Sequence, residues 1–269
     1  MKAVLIDEGA SKVNYDLVAP WPASQGTHEQ SDVQMFGYGS KAITLDGRVY
    51  MYGHGKTALL GGFGAAGYFP VSKHITYAVL AAAAVVGDTE LTVTFPSSCG
   101  YSSLGFAADE LVGAPIVIGH NSANVENFII VGNDVIGATT RTTKIRVDQP
   151  VGIAHPVTDG AEAYVNPYRY LGKGALEYNA FLGVPACNVT IAYDAWIQTW
   201  GPAWVCPGGG DATPGNTVND RTAFFVGDGS VNFGTALTIE NGYQKAGWCM
   251  DTTSSAVSAI PMIFLEISR

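Results

Sequence analysis

Charge is scarce in this chain. Only 14% of its 269 residues are Asp, Glu, Lys or Arg, and 23 acids against 14 bases give a formal net charge of -9. Such a surface repels a phosphate backbone over roughly a Debye length of ~10 Å or less, so nucleic acid is not expected as a partner. Cysteine is scarce too. Cys99, Cys187, Cys206 and Cys249 are scattered, with no C-x-x-C pair and no His at zinc-finger spacing. This argues against a structural zinc or a disulfide framework and for buried free thiols. The longest apolar run, Tyr77 to Val86, covers ten residues, about half of the ~20 a helix needs to cross a bilayer. The N-terminal MKAVLIDEGASK is too short and too acidic for a secretion signal. A soluble chain with no membrane partner is expected.

Catalytic motifs are missing as well. His28, His54, His74, His120 and His155 stand apart from one another, and no H-E-x-x-H, G-x-S-x-G or P-loop spacing occurs. Metal-assisted and elbow-type serine catalysis therefore lack support. The sequence assigns no catalytic, cofactor-binding or metal-binding residue, and the chain is not expected to be an enzyme.

What is present is apolar and turn-rich: 47% hydrophobic residues with 33 Gly among them. That is the composition of many short strands joined by tight turns, and it predicts an all-β fold with little helix. The stretch from Gly183 to Gly210 holds three of the five Trp and two of the four Cys. Its Trp196, Ile197, Trp200, Trp204 and Val205 suit a sheet core. It reads as two paired core strands, with Gly201-Pro202 as the break between them because Pro lacks a ladder donor.

In chain order, residues 1–35 carry Pro20 and Pro22 and little periodicity, so they read as an extended N-terminal arm. From Lys41, KAITLDGRVYMY reads as two strands around Asp46-Gly47, a dipeptide suited to a two-residue hairpin turn. From Ile75 a second β unit begins. In Thr89 to Phe95, Leu91, Val93 and Phe95 alternate with Glu90, Thr92 and Thr94, the pattern of a half-buried strand. Segments at Ile116 to Ile118, Phe128 to Val131, Lys144 to Val147 and Ala161 to Val165 complete a small barrel or sandwich of five or six strands. The last strands fall at Ala223 to Val226, Ala236 to Glu240, Tyr243 to Met250 and Ile260 to Ile267. The final one is apolar on both faces until Glu266, as for a strand buried inside a sheet. The domains expected are thus residues 1–35 (arm), 36–74 with 169–269 (main β domain) and 75–168 (inserted β domain).

Several residue groups could carry chemistry. Gly62, Gly64 and Gly67 satisfy G-x-G-x-x-G, but Tyr68-Phe69-Pro70 follows where a phosphate site needs a helix. A flexible glycine loop fits better. Asp211, Asn216, Asn219 and Asp220 offer oxygen ligands without the regular calcium-loop spacing, and a solvated loop is expected. A triad built from His120 with Asp194 or Ser122 would need tertiary proximity. Trp196, Trp200 and Trp204, with Tyr193 and Tyr243, could stack sugar rings, but among Ile, Val and Cys they read as core. On that reading Trp200→Ala costs ~3–5 kcal/mol. Asn188-Val189-Thr190 matches a glycosylation acceptor, a chance match in a chain without a secretion signal.

Four blocks in fixed order carry a likeness: Asp46-Gly47-Arg48-Val49-Tyr50-Met51-Tyr52, Gly87-Asp88-Thr89-Glu90-Leu91-Thr92-Val93, Val165-Asn166-Pro167-Tyr168 and Trp196-Ile197-Gln198-Thr199-Trp200-Gly201. From about residue 36 to its end, the chain resembles virion structural proteins of tailed bacteriophages that decorate or cement the capsid shell. The resemblance implies an all-β, non-enzymatic homotrimer on the outside of the head near threefold positions. The major capsid protein would be its partner, and no catalytic residues are carried over. The acidic surface suits a shell exterior better than a DNA-lined interior. The arm suits reaching a neighbouring subunit, and its removal, residues 1–35, is expected to leave the β body folded but to weaken capsid attachment. Two other classes stay open. One is a tail or baseplate protein with a glycan-binding β domain. The other is a β-architecture hydrolase using two of Asp194, Glu177, Asp211 and Asp220, which would have to approach to about 5–9.5 Å.

Overall fold

In the computed structural model the described residues are 3–6, 25–67, 78–96, 105–119, 124–137, 139, 141–174, 180–208, 221–234, 244–250 and 262–268. They form β1 (Ala3–Ile6), β2 (Gln30–Ser31), β3 (Lys41–Thr44), β4 (Val49–His54), β5 (Ala65–Gly67) and β6 (Ala78–Leu80). Next come β7 (Glu90–Thr94), β8 (Pro115–Ile118), β9 (Glu126–Asn133), β10 (Thr142–Val147), β11 (Gly160–Ala163) and β12 (Leu171–Lys173). The remainder are β13 (Phe181–Pro185), β14 (Asp194–Trp204), β15 (Thr222–Phe225), β16 (Val231–Phe233), β17 (Lys245–Cys249) and β18 (Met262–Glu266). One 3-10 turn, Pro167–Arg169, is the helical element among the described residues, and no helix there is long and apolar enough to cross a membrane. The all-β class read from composition is what the structure has, in two compact units: residues 1–68 with 167–269, and residues 69–166.

The unit of residues 69–166 is a closed six-stranded barrel in the order β10-β7-β6-β11-β8-β9. Period-2 patterning explains it. Leu91, Val93, Ile116, Ile118, Ile130 and Ile145 are buried to within 1%, while Glu90 and Lys144 meet as an exposed ion pair at 2.6 Å. Closure removes both sheet edges and packs these apolar rows against one another. At one point the barrel is tied by polar groups: buried His155 pairs with Asp159 at 2.8 Å through Nδ1 and with Glu126 at 3.0 Å through Nε2.

The other unit is a curled sheet with the path β1-β3-β4-β14-β18-β17-β15-β16, to which β2, β5, β12 and β13 add. Its axis is β14, which pairs antiparallel with β4 over Asp194 to Trp200 and with β18 over Trp200 to Trp204. The expected break at Gly201-Pro202 is therefore not a break: one eleven-residue strand runs through it. Gly201 takes φ +93 just past a bulge at Gln198/Trp200. Pro202 falls beyond the part paired with β4 and faces only Phe264 of β18, so its missing N–H leaves no gap between two ladders.

The Asp46-Gly47 hairpin forms, with a three-residue rather than a two-residue connection. Gly47 N–H donates to the Thr44 carbonyl at 2.9 Å and Thr44 N–H to that of Arg48 at 3.0 Å, and only Gly47 takes positive φ, +85. This is a turn closed by a glycine bulge, the next most common hairpin after the primed two-residue turns.

Of the segment read as an arm, residues 7–24 lie outside the described residues. Ala3–Ile6 lies parallel to β3. Residues 25–36 are anchored at their two ends: Gln25 and Thr27 are buried, and Met35 and Phe36 rest on the cluster of Tyr50, Tyr52 and Trp196, while residues 28–30 and 32–34 are exposed. The proposed strand at 236–240 lies outside the described residues. Strand β18 is central in the sheet but not buried on both faces: Ile263 and Leu265 enter the core while Met262 is 49% exposed. Cys249 is buried, Cys187 and Cys206 only half so, all three as free thiols, and Cys99 lies outside the described residues.

Candidate functional site

β14 changes character along its length. Trp196 is fully buried in one cluster and Ala195 and Ile197 in another, so both faces of its first half are covered. Past the bulge only Ala203 and Val205 enter the core. Trp200 is half-buried and Trp204 is 43% exposed. The core reading holds for Trp196 and fails for Trp204, because the sheet has covering layers over only part of that strand.

The outward residues continue across two neighbouring strands. In register, Pro202 faces Phe264 and Trp204 faces Met262 on β18, and Trp248 of β17 faces Phe264 from the other side. Trp248 stacks on Phe264 with centroids 5.3 Å apart at 11°, and Trp200 meets the same ring edge-on at 5.5 Å. Trp248, Met250 and Met262 are exposed by 39%, 40% and 49%. Large apolar side chains thus cover one outer face of three strands, flanked by the Lys245–Glu266 ion pair at 2.6 Å.

Beside Trp204 this face falls into a cleft of about 390 Å³, with His28, Arg48, Cys187, Asn188, Gln198 and Met262 among its lining residues. The volume is in the ~300–1,000 Å³ range of small-molecule sites. Burial pushes the Cys187 thiol upward, and the charge of Glu29 adds to this. A neutral, weakly nucleophilic thiol results.

A second polar centre lies at the start of β14. The buried Asp194 carboxylate pairs with His54 Nδ1 at 2.7 Å and accepts from Tyr38 O–H at 3.3 Å. Burial, followed by the Asp194 charge, pushes the Tyr38 hydroxyl up to about 12, so it stays a donor. His54 has no hydrogen bond to a hydroxyl or thiol among the described residues, and the dyad lacks a nucleophile there.

Most of the polar residues weighed for chemistry are not among the described ones. His120, Ser122, Glu177, Asp211, Asn216, Asn219, Asp220 and Tyr243 lie outside the described residues. Asp194 meets His54. Gly62, Gly64 and Gly67 are not a flexible loop: Gly62 seats Trp204, Gly64 seats Phe181 and Phe225, and Gly67 ends β5. Among the described residues no group of three or more His, Cys, Asp and Glu is placed to hold a metal ion. The sequence reading missed Trp248, Phe264, Met250 and Met262 as one surface. Their alternation with buried residues in β17 and β18 was visible, but not which face the core would take. No protein-family model, no curated protein and no solved structure matches the chain.

Proposed function

We propose that this chain is a structural protein of a tailed-phage virion. It binds the outside of the head as a homotrimer and stabilises the shell by bridging major capsid subunits, without catalysis. The observation that supports this most is the outer face of β17 and β18. Trp248, Met250 and Met262 are exposed around the half-buried Phe264, an aromatic and methionine surface on a chain poor in charge, the composition of protein contact centres. Binding only to the assembled lattice draws the assembly equilibrium toward the shell. The net charge of -9 favours the exterior over a DNA-lined interior.

The test is the number of copies per major shell subunit in purified particles, by quantitative mass spectrometry. About one copy per shell subunit is expected, and Trp248→Asp is expected to strip the protein from the heads. A handful of copies would favour the tail or baseplate reading, and none would overturn a virion role.

A further inference from the structure

We propose that the cleft beside Trp204 binds the ring of a neutral sugar. The proposal does not depend on where in a virion the chain sits. Three features of the cleft carry it.

The first is an immobilised aromatic wall. Trp204 lies directly against Gly62: a Cβ on that glycine would fall 2.1 Å from Trp204 Cζ3. The ring is thereby held on one side and 43% exposed overall. A fixed, half-open indole offers a flat π-face to the C–H face of a sugar without ordering a flexible side chain on binding.

The second is a buried amide with one atom to spare. Gln198 is only 4% exposed, and its Nε2 donates to the carbonyls of Trp200 at 3.1 Å and Pro202 at 2.8 Å. Both amide hydrogens are spent, which fixes the side chain and its O/N assignment. Its Oε1 has no hydrogen-bond partner among the described residues, although the side chain lines the cleft. That oxygen is not sealed from solvent, and a hydroxyl donor from a ligand can take the place of water on it.

The third is complementary donors, also fixed. Asn188 Oδ1 accepts from Gly61 N–H at 2.9 Å, so among the described residues its NH2 end remains for a ligand. Arg48 is anchored through Nε to Asp46 at 2.7 Å and through Nη1 to Tyr50 at 2.8 Å. Because Asp46 balances the Arg48 charge, the site does not select an anion. A ring with one apolar face and several hydroxyls, each both donor and acceptor, matches an aromatic wall, an open acceptor and planar donors. A purely apolar ligand would leave Gln198 Oε1 unpaired, and a phosphate would find an acceptor where it needs a donor.

The experiment is saturation-transfer NMR and calorimetry on the full chain against neutral hexoses, amino sugars and their short oligomers, with a sialylated glycan and inorganic phosphate as charged probes. Binding of at least one neutral sugar is expected, weakened about tenfold or more by Trp204→Ala and severalfold by Asn188→Ala. Trp248→Ala, outside the cleft lining, should leave it unchanged. Circular dichroism and melting temperature show whether each variant is folded. If Trp204→Ala does not fold, Asn188→Ala decides. Neutral-sugar binding that survives the folded cleft variants overturns the assignment. So does binding of the charged probes alone, or no binding at tens of millimolar.

Discussion

The indole of Trp204 rests on the Cα of Gly62, which holds φ at +78, and no other residue type could occupy that position without moving the ring. Gly62→Ala combines a left-handed backbone that L residues resist with a direct clash against the ring edge. A loss of about 1–3 kcal/mol is expected, together with a red shift in tryptophan emission as the indole lifts from its seat. A melting temperature and emission spectrum equal to the parent's would show that the contact is not made in solution.

The tryptophans of β14 form a gradient of burial, and truncation should follow it. Trp196 is fully buried and packs on Phe36 and Tyr52, each with ring centroids 5.0 Å away, so Trp196→Ala should cost ~3–5 kcal/mol. Trp200 is half-buried on the outer face, and its truncation should cost less than about 2 kcal/mol, below what the sequence alone suggested. Trp204→Ala should fall lower still. Denaturant unfolding of the three variants measures the order directly, and equal losses would contradict the placement of the strand.

Much of the fold was legible because barrel strands with one face in water alternate strictly. Leu91, Val93 and Phe95 enter the core just where the pattern puts them. The hub was harder, for two reasons. Pro202 looks like a strand breaker until one knows that it lies past the end of the β4 ladder, a tertiary fact. And a strand such as β18, with Met262, Ile263, Phe264 and Leu265 in succession, carries apolar residues on both faces, so nothing local says which face the other layer will cover. The cleft was invisible for the same reason, since Gly62, Asn188 and Gln198 meet only through the sheet.

Glu126 gives the barrel a pH dependence. Burial alone would raise its carboxyl, but N–H groups of Gly152 at 2.9 Å and Ile153 at 3.2 Å, with His155 at 3.0 Å, hold it below the ordinary value of 4.5. A carboxyl with a depressed folded value stabilises the fold above its unfolded pKa, and that contribution is lost as pH falls through the folded value. Glu126→Gln should therefore melt below the parent at pH 7 and converge with it as the pH is lowered past about 4.5. Melting curves at several pH values test this. A gap that stays constant down to pH 3 would mean that the glutamate acts through shape and not through its charge.

Truncation separates the two parts of the N-terminal segment. Gln25 donates through Nε2 to the Glu29 carbonyl at 2.9 Å and to that of Asp194 at 2.8 Å, and its Oε1 accepts from Tyr52 O–H at 2.8 Å. Its own carbonyl accepts from Trp196 Nε1 at 3.3 Å. Deleting residues 1–35 strands the Tyr52 hydroxyl and the Trp196 N–H inside the protein, at about 1–3 kcal/mol for each unsatisfied group. It also removes the cover that Met35 gives that cluster. Deleting residues 1–24 leaves all of these contacts in place and, among the described residues, removes only β1 from the edge of β3. The shorter deletion should therefore melt close to the full chain and the longer one well below it. Equal melting temperatures for the two would show that Gln25 does not hold this network in solution, and would restore residues 25–35 to the dispensable arm.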